Sequence, residues 1–330
     1  MSALIITNGD LAADLLRRAG CEAVILPWRD VLHEGPVPET SKGHAHDLEA
    51  LSSIRAAFLA AASDQPLETI GEDCAQRDRM LGDHAGFDQV TLWFEHDLYD
   101  QLQLPQILSF FHGEKRSAPV HLIQANDHLA RQTAEELRRL EASRAPLSGV
   151  QLALADTLFR AFRKPAPIDL AAFLQQDLGP LPRMQAALRR LFEELPSSAN
   201  GLSRTQHQAL LCIDREGLAP KQLFGAVQTM EEAAFMGDLS FWRSLEELAF
   251  ATVPLVRGLP CRFRSSMAEE SRQAYLDARL ELTDAGREVL SARKDHAAIN
   301  SIDRWLGGTP IAGGTLWRWD RDAARLVPPS

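Results

Sequence analysis

Four short apolar runs punctuate the first 145 residues: Ala3-Leu4-Ile5-Ile6-Thr7, Cys21-Glu22-Ala23-Val24-Ile25-Leu26, Gln89-Val90-Thr91-Leu92-Trp93-Phe94 and Pro119-Val120-His121-Leu122-Ile123-Gln124. They are rich in β-branched and aromatic residues and do not alternate with polar ones, which is the pattern of strands covered on both faces. The intervening stretches repeat with helical spacing. Leu11, Leu15 and Arg18 share one side of a helix that stops at Gly20. Residues 45–62 place Leu48, Leu51, Ile54, Phe58 and Leu59 on one stripe. A further helix is expected over about 68–82, another from Leu98 to about His112, and a last one carrying Leu129, Leu137 and Leu140. Pro105 either kinks its helix or starts a second one at the first position.

Strands alternating with helices of this length predict right-handed βαβ units and a parallel sheet. The expectation for residues 1–145 is an N-terminal doubly wound, Rossmann-like α/β domain of about four strands. Residues 146–200 read as a helical connector punctuated by Pro165, Pro167, Pro180 and Pro182. Residues 201–330 change order. Helices over about 203–215, 219–232 and 239–250 precede a strand at Val253–Val256, a polar loop, a second strand at Arg279–Thr283 and a helix from Asp284. Three helices, a two-stranded wing and a closing helix predict a winged-helix-like α+β domain.

Composition narrows the class. The 330 residues are 45% hydrophobic and 24% charged, as in a globular protein. No run reaches the ~18 apolar residues of a membrane span. The four cysteines (Cys21, Cys74, Cys212, Cys261) form no C-x-x-C pair, which gives neither a zinc ribbon nor a disulfide framework. A reduced, cytoplasmic protein without a membrane partner is expected. The net charge of −10 falls entirely on residues 1–150, which hold 23 acidic and 13 basic residues, while residues 151–330 hold 22 of each. Such an acidic half repels nucleic-acid phosphates and tolerates a divalent cation. There is no G-x-x-x-x-G-K-[ST], no G-x-G-x-x-G after the first strand, no G-x-S-x-G and no H-E-x-x-H, which argues against P-loop, dinucleotide, α/β-hydrolase and zincin chemistry.

Ligands of open parallel sheets bind outside the carboxyl ends of the strands. Those ends carry Asn8 and Asp10, then Arg29, Asp30, His33 and Glu34, then Glu95, His96 and Asp97, then Asn126 and Asp127. The set suits a divalent metal, a histidine oriented by a carboxylate as general acid or base, or an anion at the helix start after Asn8-Gly9. The same residues have ordinary uses: Asp10 and Asp97 can cap the helices that follow them. His33, Glu34, Glu95 and His96 are the candidate catalytic residues. Asn8, Asp10, Arg29, Asp30 and Asn126 are candidate ligand contacts, and Asp97 is the candidate metal ligand. In the third C-terminal helix, Phe241, Leu245 and Leu248 are expected inward and Arg243, Glu246 and Glu247 outward, a poor phosphate-binding face. The loop between the wing strands holds Arg257, Arg262, Arg264 and Arg272.

The strings I-T-N-G-D (6–10), L-P-W-R-D-V-L-H-E-G-P-V-P (26–38) and W-F-E-H-D-L-Y-D-Q-L (93–102) together resemble the bacterial family called domain of unknown function 1835. The C-terminal strings D-R-W-L-G-G (303–308) and W-R-W-D (317–320) are similar to the region that accompanies that domain. The resemblance adds Trp28 to the candidate ligand contacts, because it lies inside one of the strings, and implies no activity. Two functions compete on the sequence. One is binding or hydrolysis of a phosphorylated or nucleotide-like small molecule at the strand-end rim, metal-assisted or not. The other is a ligand-sensing regulator or interaction module that uses the winged helix on DNA, which the charge does not favour, or on a partner protein.

Overall fold

The computed structural model describes residues 2–40, 48–114, 116 and 118–329. The chain falls into two compact units: Met1–Ala60, Pro66–Leu188 and Gly307–Thr309 form the first, and Ala61–Gln65, Arg189–Leu306 and Pro310–Ser330 form the second. The stretch 146–200 is thus divided between them.

The first unit is mixed α/β around a five-stranded, mostly parallel sheet. In chain order it runs β1 (Ala3–Asn8), α1 (Gly9–Arg18), β2 (Val24–Trp28), α2 (Leu48–Ser63), α3 (Leu67–Gly82), β3 (Gln89–Phe94), α4 (Leu98–Gly113), β4 (Val120–Gln124), α5 (Ala134–Ala142), β5 (Ala145–Pro146), α6 (Gly149–Phe162) and α7 (Ile168–Ala172). The sheet order is β2-β1-β3-β4-β5, parallel except for β5. The chain leaves β1 toward one side and reaches β3 on the other, so the order reverses between β1 and β3. A crevice opens at such a reversal.

One sheet face, with Ile5, Ile25, Trp93 and Ile123, packs on Ala12, Ala13 and Leu16 of α1 and Leu137 of α5. The expected stripe of α1 is therefore corrected. Leu11 is 78% exposed, and the alanines are buried because small side chains let the helix sit close on the sheet. On the opposite face the indole of Trp28 donates to Gln106 Oε1 of α4 at 3.0 Å and lies 4.3 Å beneath the guanidinium of Arg77 in α3.

Other boundaries also move. β2 begins at Val24 and continues through Pro27 and Trp28, residues expected in the loop. Pro105 lies within a single helix. Leu129 belongs to a separate 3-10 turn, Leu129–Arg131, ahead of α5, whose N-cap is Thr133. The start of the helix expected at 45–62 lies partly outside the described residues, and its described part, α2, buries Arg55 completely, one position along from Ile54 of the expected stripe.

Beyond α8 (Met184–Phe192), the second unit contains α9 (Arg204–Glu216), α10 (Pro220–Gln228), α11 (Asp238–Ala249), β6 (Val256–Arg257), α12 (Glu269–Leu276), β7 (Glu281–Leu282), α13 (Asp284–Leu290) and α14 (His296–Ile299). Leu210, Leu223, Phe241, Leu245, Leu248, Leu255, Tyr275 and Val289 form its core, and β6 pairs antiparallel with β7. The tail adds β8 (Asp303–Leu306), β9 (Thr309–Ala312), β10 (Arg318–Asp320) and β11 (Arg325–Val327). All four cysteines are free. No helix among the described residues is long and apolar enough to cross a membrane.

Candidate functional site

The reversal between β1 and β3 sets the stage, because the residues after both strands converge there. Asn8 ends β1. Its side chain makes no helix cap; its Nδ2 donates to Asp100 Oδ2 at 2.5 Å. The backbone N–H of Glu95, just after β3, donates to the other oxygen, Asp100 Oδ1, at 2.6 Å. Asp100 is fully buried and so ties together the ends of the two strands that border the crevice. Asp97 caps α4 as expected, its Oδ1 accepting from the Asp100 N–H at 3.2 Å. The helix therefore begins with two carboxyls one turn apart, both out of water.

The loop after β4 brings the remaining member. His128 Nδ1 lies 2.8 Å from Glu95 Oε2 and 3.4 Å from Asp97 Oδ2. Glu95 Oε1 accepts from the Leu129 N–H at 2.8 Å, which fixes that carboxylate from a second direction. The rings of His96 and His128 are 5.4 Å apart. Glu95, Asp97 and His128 each offer a ligating atom, and these atoms lie within 4.8 Å of one another. No Lys or Arg among the described residues pairs with Glu95, Asp97 or Asp100.

The electrostatics follow from this crowding. Burial, reinforced by the charge of Glu95, pushes the Asp97 carboxyl up to about 7. Burial and the neighbouring Asp97 raise Asp100 well above the carboxylate range. The hydrogen bond to Glu95 raises His128, while burial and then the His128 charge lower His96. Such opposed shifts within one cluster mark groups held away from their preferred protonation states.

The loop after β2 is different. Asp30 is buried and its Oδ1 accepts from Arg55 Nε and Nη2 at 2.9 and 2.7 Å. Arg55 also donates to the carbonyls of Val31, Glu34 and Pro36 at 2.8, 2.8 and 3.2 Å. Gly35 completes the turn at φ +67°, where an added Cβ would lie 2.5 Å from the Phe58 ring. His33 is buried, 3.4 Å from the Glu34 carboxylate through Nε2 and edge-on to the Tyr99 ring at 6.2 Å.

The structure thus places the sequence candidates in three groups. Glu95, Asp97, His96 and Asn8 gather at the crevice. His33 and Glu34 sit together in the loop braced by Arg55, and Asp30 anchors that brace. Trp28 is fully buried core, which corrects its assignment as a ligand contact. Asp10 does not cap α1, because the helix already starts at Gly9. It pairs on the surface with Arg29, the carboxylate accepting from Arg29 Nε and Nη2 at 2.9 and 2.7 Å, and that pair holds Asp10 below the usual carboxylate range. Asn126 accepts from Arg183. His128 and Asp100 were not foreseen. The signal for His128 was its place directly after Asn126-Asp127 at the fourth strand end, and for Asp100 the D-x-x-D spacing across a helix start. No family model matches the chain, and no curated protein matches it.

Proposed function

We propose that the first unit binds and hydrolyses a phosphorylated or nucleotide-like small molecule in the crevice between the ends of β1 and β3. The observation that carries this reading is the convergence of Glu95, Asp97 and His128 at that reversal, the place where doubly wound, Rossmann-like sheets present ligands. In hydrolysis, water attacks phosphorus, the ester P–O bond breaks, and the leaving oxygen takes a proton. His96, beside the cluster, accepts the proton from water as general base. A cation between the carboxylates and a phosphate would ease their mutual repulsion.

A panel of nucleoside phosphates, sugar phosphates and p-nitrophenyl phosphate at about 1 mM, the upper end of usual Michaelis constants, tests the reading. At least one should raise the melting temperature and release phosphate. His96→Asn should stop release while keeping the thermal shift. A panel with no shift and no release overturns the reading.

The second unit supports a separate reading. Helices α9, α10 and α11, the antiparallel pair β6–β7 and helix α13 follow the order of a winged helix, and we infer a winged-helix-like module. Phe241, Leu245 and Leu248 are buried, in keeping with an inward face. Glu246, expected outward, is buried and accepts from the Phe263 N–H at 2.5 Å, because the wing segment folds over it. Arg243 donates to Ala62 O at 3.0 Å and Ser240 Oγ at 3.2 Å. The cation of the third helix is thus engaged within the unit, which favours a protein-interaction role over DNA reading. Retention of genomic DNA fragments with a steep salt dependence would reverse that preference. A cytoplasmic location and membership of the domain of unknown function 1835 family, inferred from the three N-terminal strings, complete the reading.

A further inference from the structure

We propose that Glu95, Asp97 and His128 hold a divalent transition-metal cation, of the class running from Mn²⁺ to Zn²⁺. The inference deepens the hydrolase reading, since a cation at this point would bridge to a phosphate, yet cation binding is measurable without any substrate.

The spacing of the donors is the first argument. Metal bonds of about 2.0–2.2 Å place neighbouring ligand atoms about 2.8–3.5 Å apart in octahedral or tetrahedral shells. His128 Nδ1 stands 2.8 Å from Glu95 Oε2 and 3.4 Å from Asp97 Oδ2. The three side chains come from two strand ends, and the backbone fixes them: Leu129 N–H holds Glu95 and Asp100 N–H holds Asp97. All three ligating atoms already lie within 4.8 Å of one another.

Charge is the second. Two carboxylates share one imidazole, with no Lys or Arg among the described residues paired to them. Water screens them little, because the side chains of Glu95 and Asp97 are only 8% and 4% exposed. A dication offsets what the imidazole alone leaves.

A third, independent observation lies in the surrounding shell. Gln101 is fully buried. Its Nε2 donates to the Glu95 carbonyl at 2.6 Å while its Oε1 has no hydrogen-bond partner. Asn8 repeats the pattern: Nδ2 is on Asp100 and the buried Oδ1 is without a partner. Both orphaned atoms are acceptors. Each calls for a donor, a role that metal-bound water can fill where it reaches them.

Ligand chemistry selects the ion. Ca²⁺ takes 6–8 oxygens and Mg²⁺ prefers a nearly all-oxygen octahedron, whereas imidazole with carboxylates suits Mn²⁺ through Zn²⁺.

The experiment is a titration of the full-length, chelator-treated protein with Mn²⁺, read by calorimetry and electron paramagnetic resonance, then with Zn²⁺ and Ca²⁺. A single Mn²⁺ or Zn²⁺ should bind per chain, and Ca²⁺ more weakly. Asp97→Asn and His128→Gln should each weaken binding by more than about tenfold, with far-UV circular dichroism confirming that they fold. Glu135→Gln, on the exposed face of α5, should bind like wild type. Anomalous scattering from Mn²⁺-soaked crystals gives a second readout independent of the variants. Absence of stoichiometric binding by the wild type overturns the inference, as do variants that bind undiminished. Cation binding without phosphate release defeats only the hydrolase reading. Phosphate release undiminished by chelator, without cation binding, defeats only this one.

Discussion

The loop after β2 and the loops after β3 and β4 both carry buried carboxylates and histidines at the carboxyl edge of the same sheet. In the first, Asp30 meets a guanidinium that is itself fully buried, and that guanidinium spends its other donors on three loop carbonyls. In the second, three carboxyls face one another with backbone amides, Asn8 and a single imidazole as partners. Buried charge matched by a guanidinium fixes a shape. Buried charge left under-compensated stores a demand for a proton or a cation. Residue type alone does not distinguish the two; the partners do.

The largest expected effect breaks the matched region. Arg55→Met leaves the buried Asp30 with only the Arg77 guanidinium, 4.0 Å from its Oδ2, and releases the loop carbonyls, so urea unfolding should show a loss of about 3–5 kcal/mol. A loss below about 1 kcal/mol would mean that the loop is held by something else. Replacing both partners, Asp30→Asn with Arg55→Met, should recover part of the loss.

Asp97→Asn probes the other region with the opposite sign. The folded carboxyl is pushed up to about 7 from the ordinary aspartate value near 4, so its contribution is full below about pH 4 and is lost as pH rises through 7. Asparagine imitates the protonated form and still caps α4. In metal-free protein it should therefore stabilise by about 2–4 kcal/mol at pH 8 and by almost nothing near pH 4. With a saturating transition metal the difference should narrow by at least about 1.4 kcal/mol, because the wild type gains more ligand-binding energy. Thermal melts across pH, with and without Mn²⁺, read both. A pH-independent difference would sink the comparison.

The smallest effect belongs to the surface pair. Asp10→Asn removes an ion pair whose side chains are roughly half exposed, and should cost less than about 1 kcal/mol, fading in high salt. A larger cost would show that Asp10 belongs with the crevice.

The sheet was legible because its strands are uninterrupted apolar runs, and a period of two or of 3.6 survives in single sequences. Glu95 and Asp97 were legible because strand ends are where chemistry collects. Three things were not. Arg55 lies within an amphipathic helix, where arginine is ordinarily read as solvated, and only the carbonyls of a loop some twenty residues earlier reveal why it turns inward. Asp100 sits inside α4, where an acidic residue passes for surface. β5 is a two-residue strand, too short for any periodicity. In each case the deciding partner is distant in sequence.

The two outer strands share a trait. Pro27 lies in β2 and Pro146 in β5, the strands at the two margins of the sheet. A proline offers no N–H to an incoming strand; Pro27 is buried, while the exposed Pro146 leaves the β5 margin one rung short of the ladder that another chain would need. The sheet is thereby ill suited as a template for its own copies. Refolding at high protein concentration should give monodisperse material, and Pro146→Val should be the variant that precipitates.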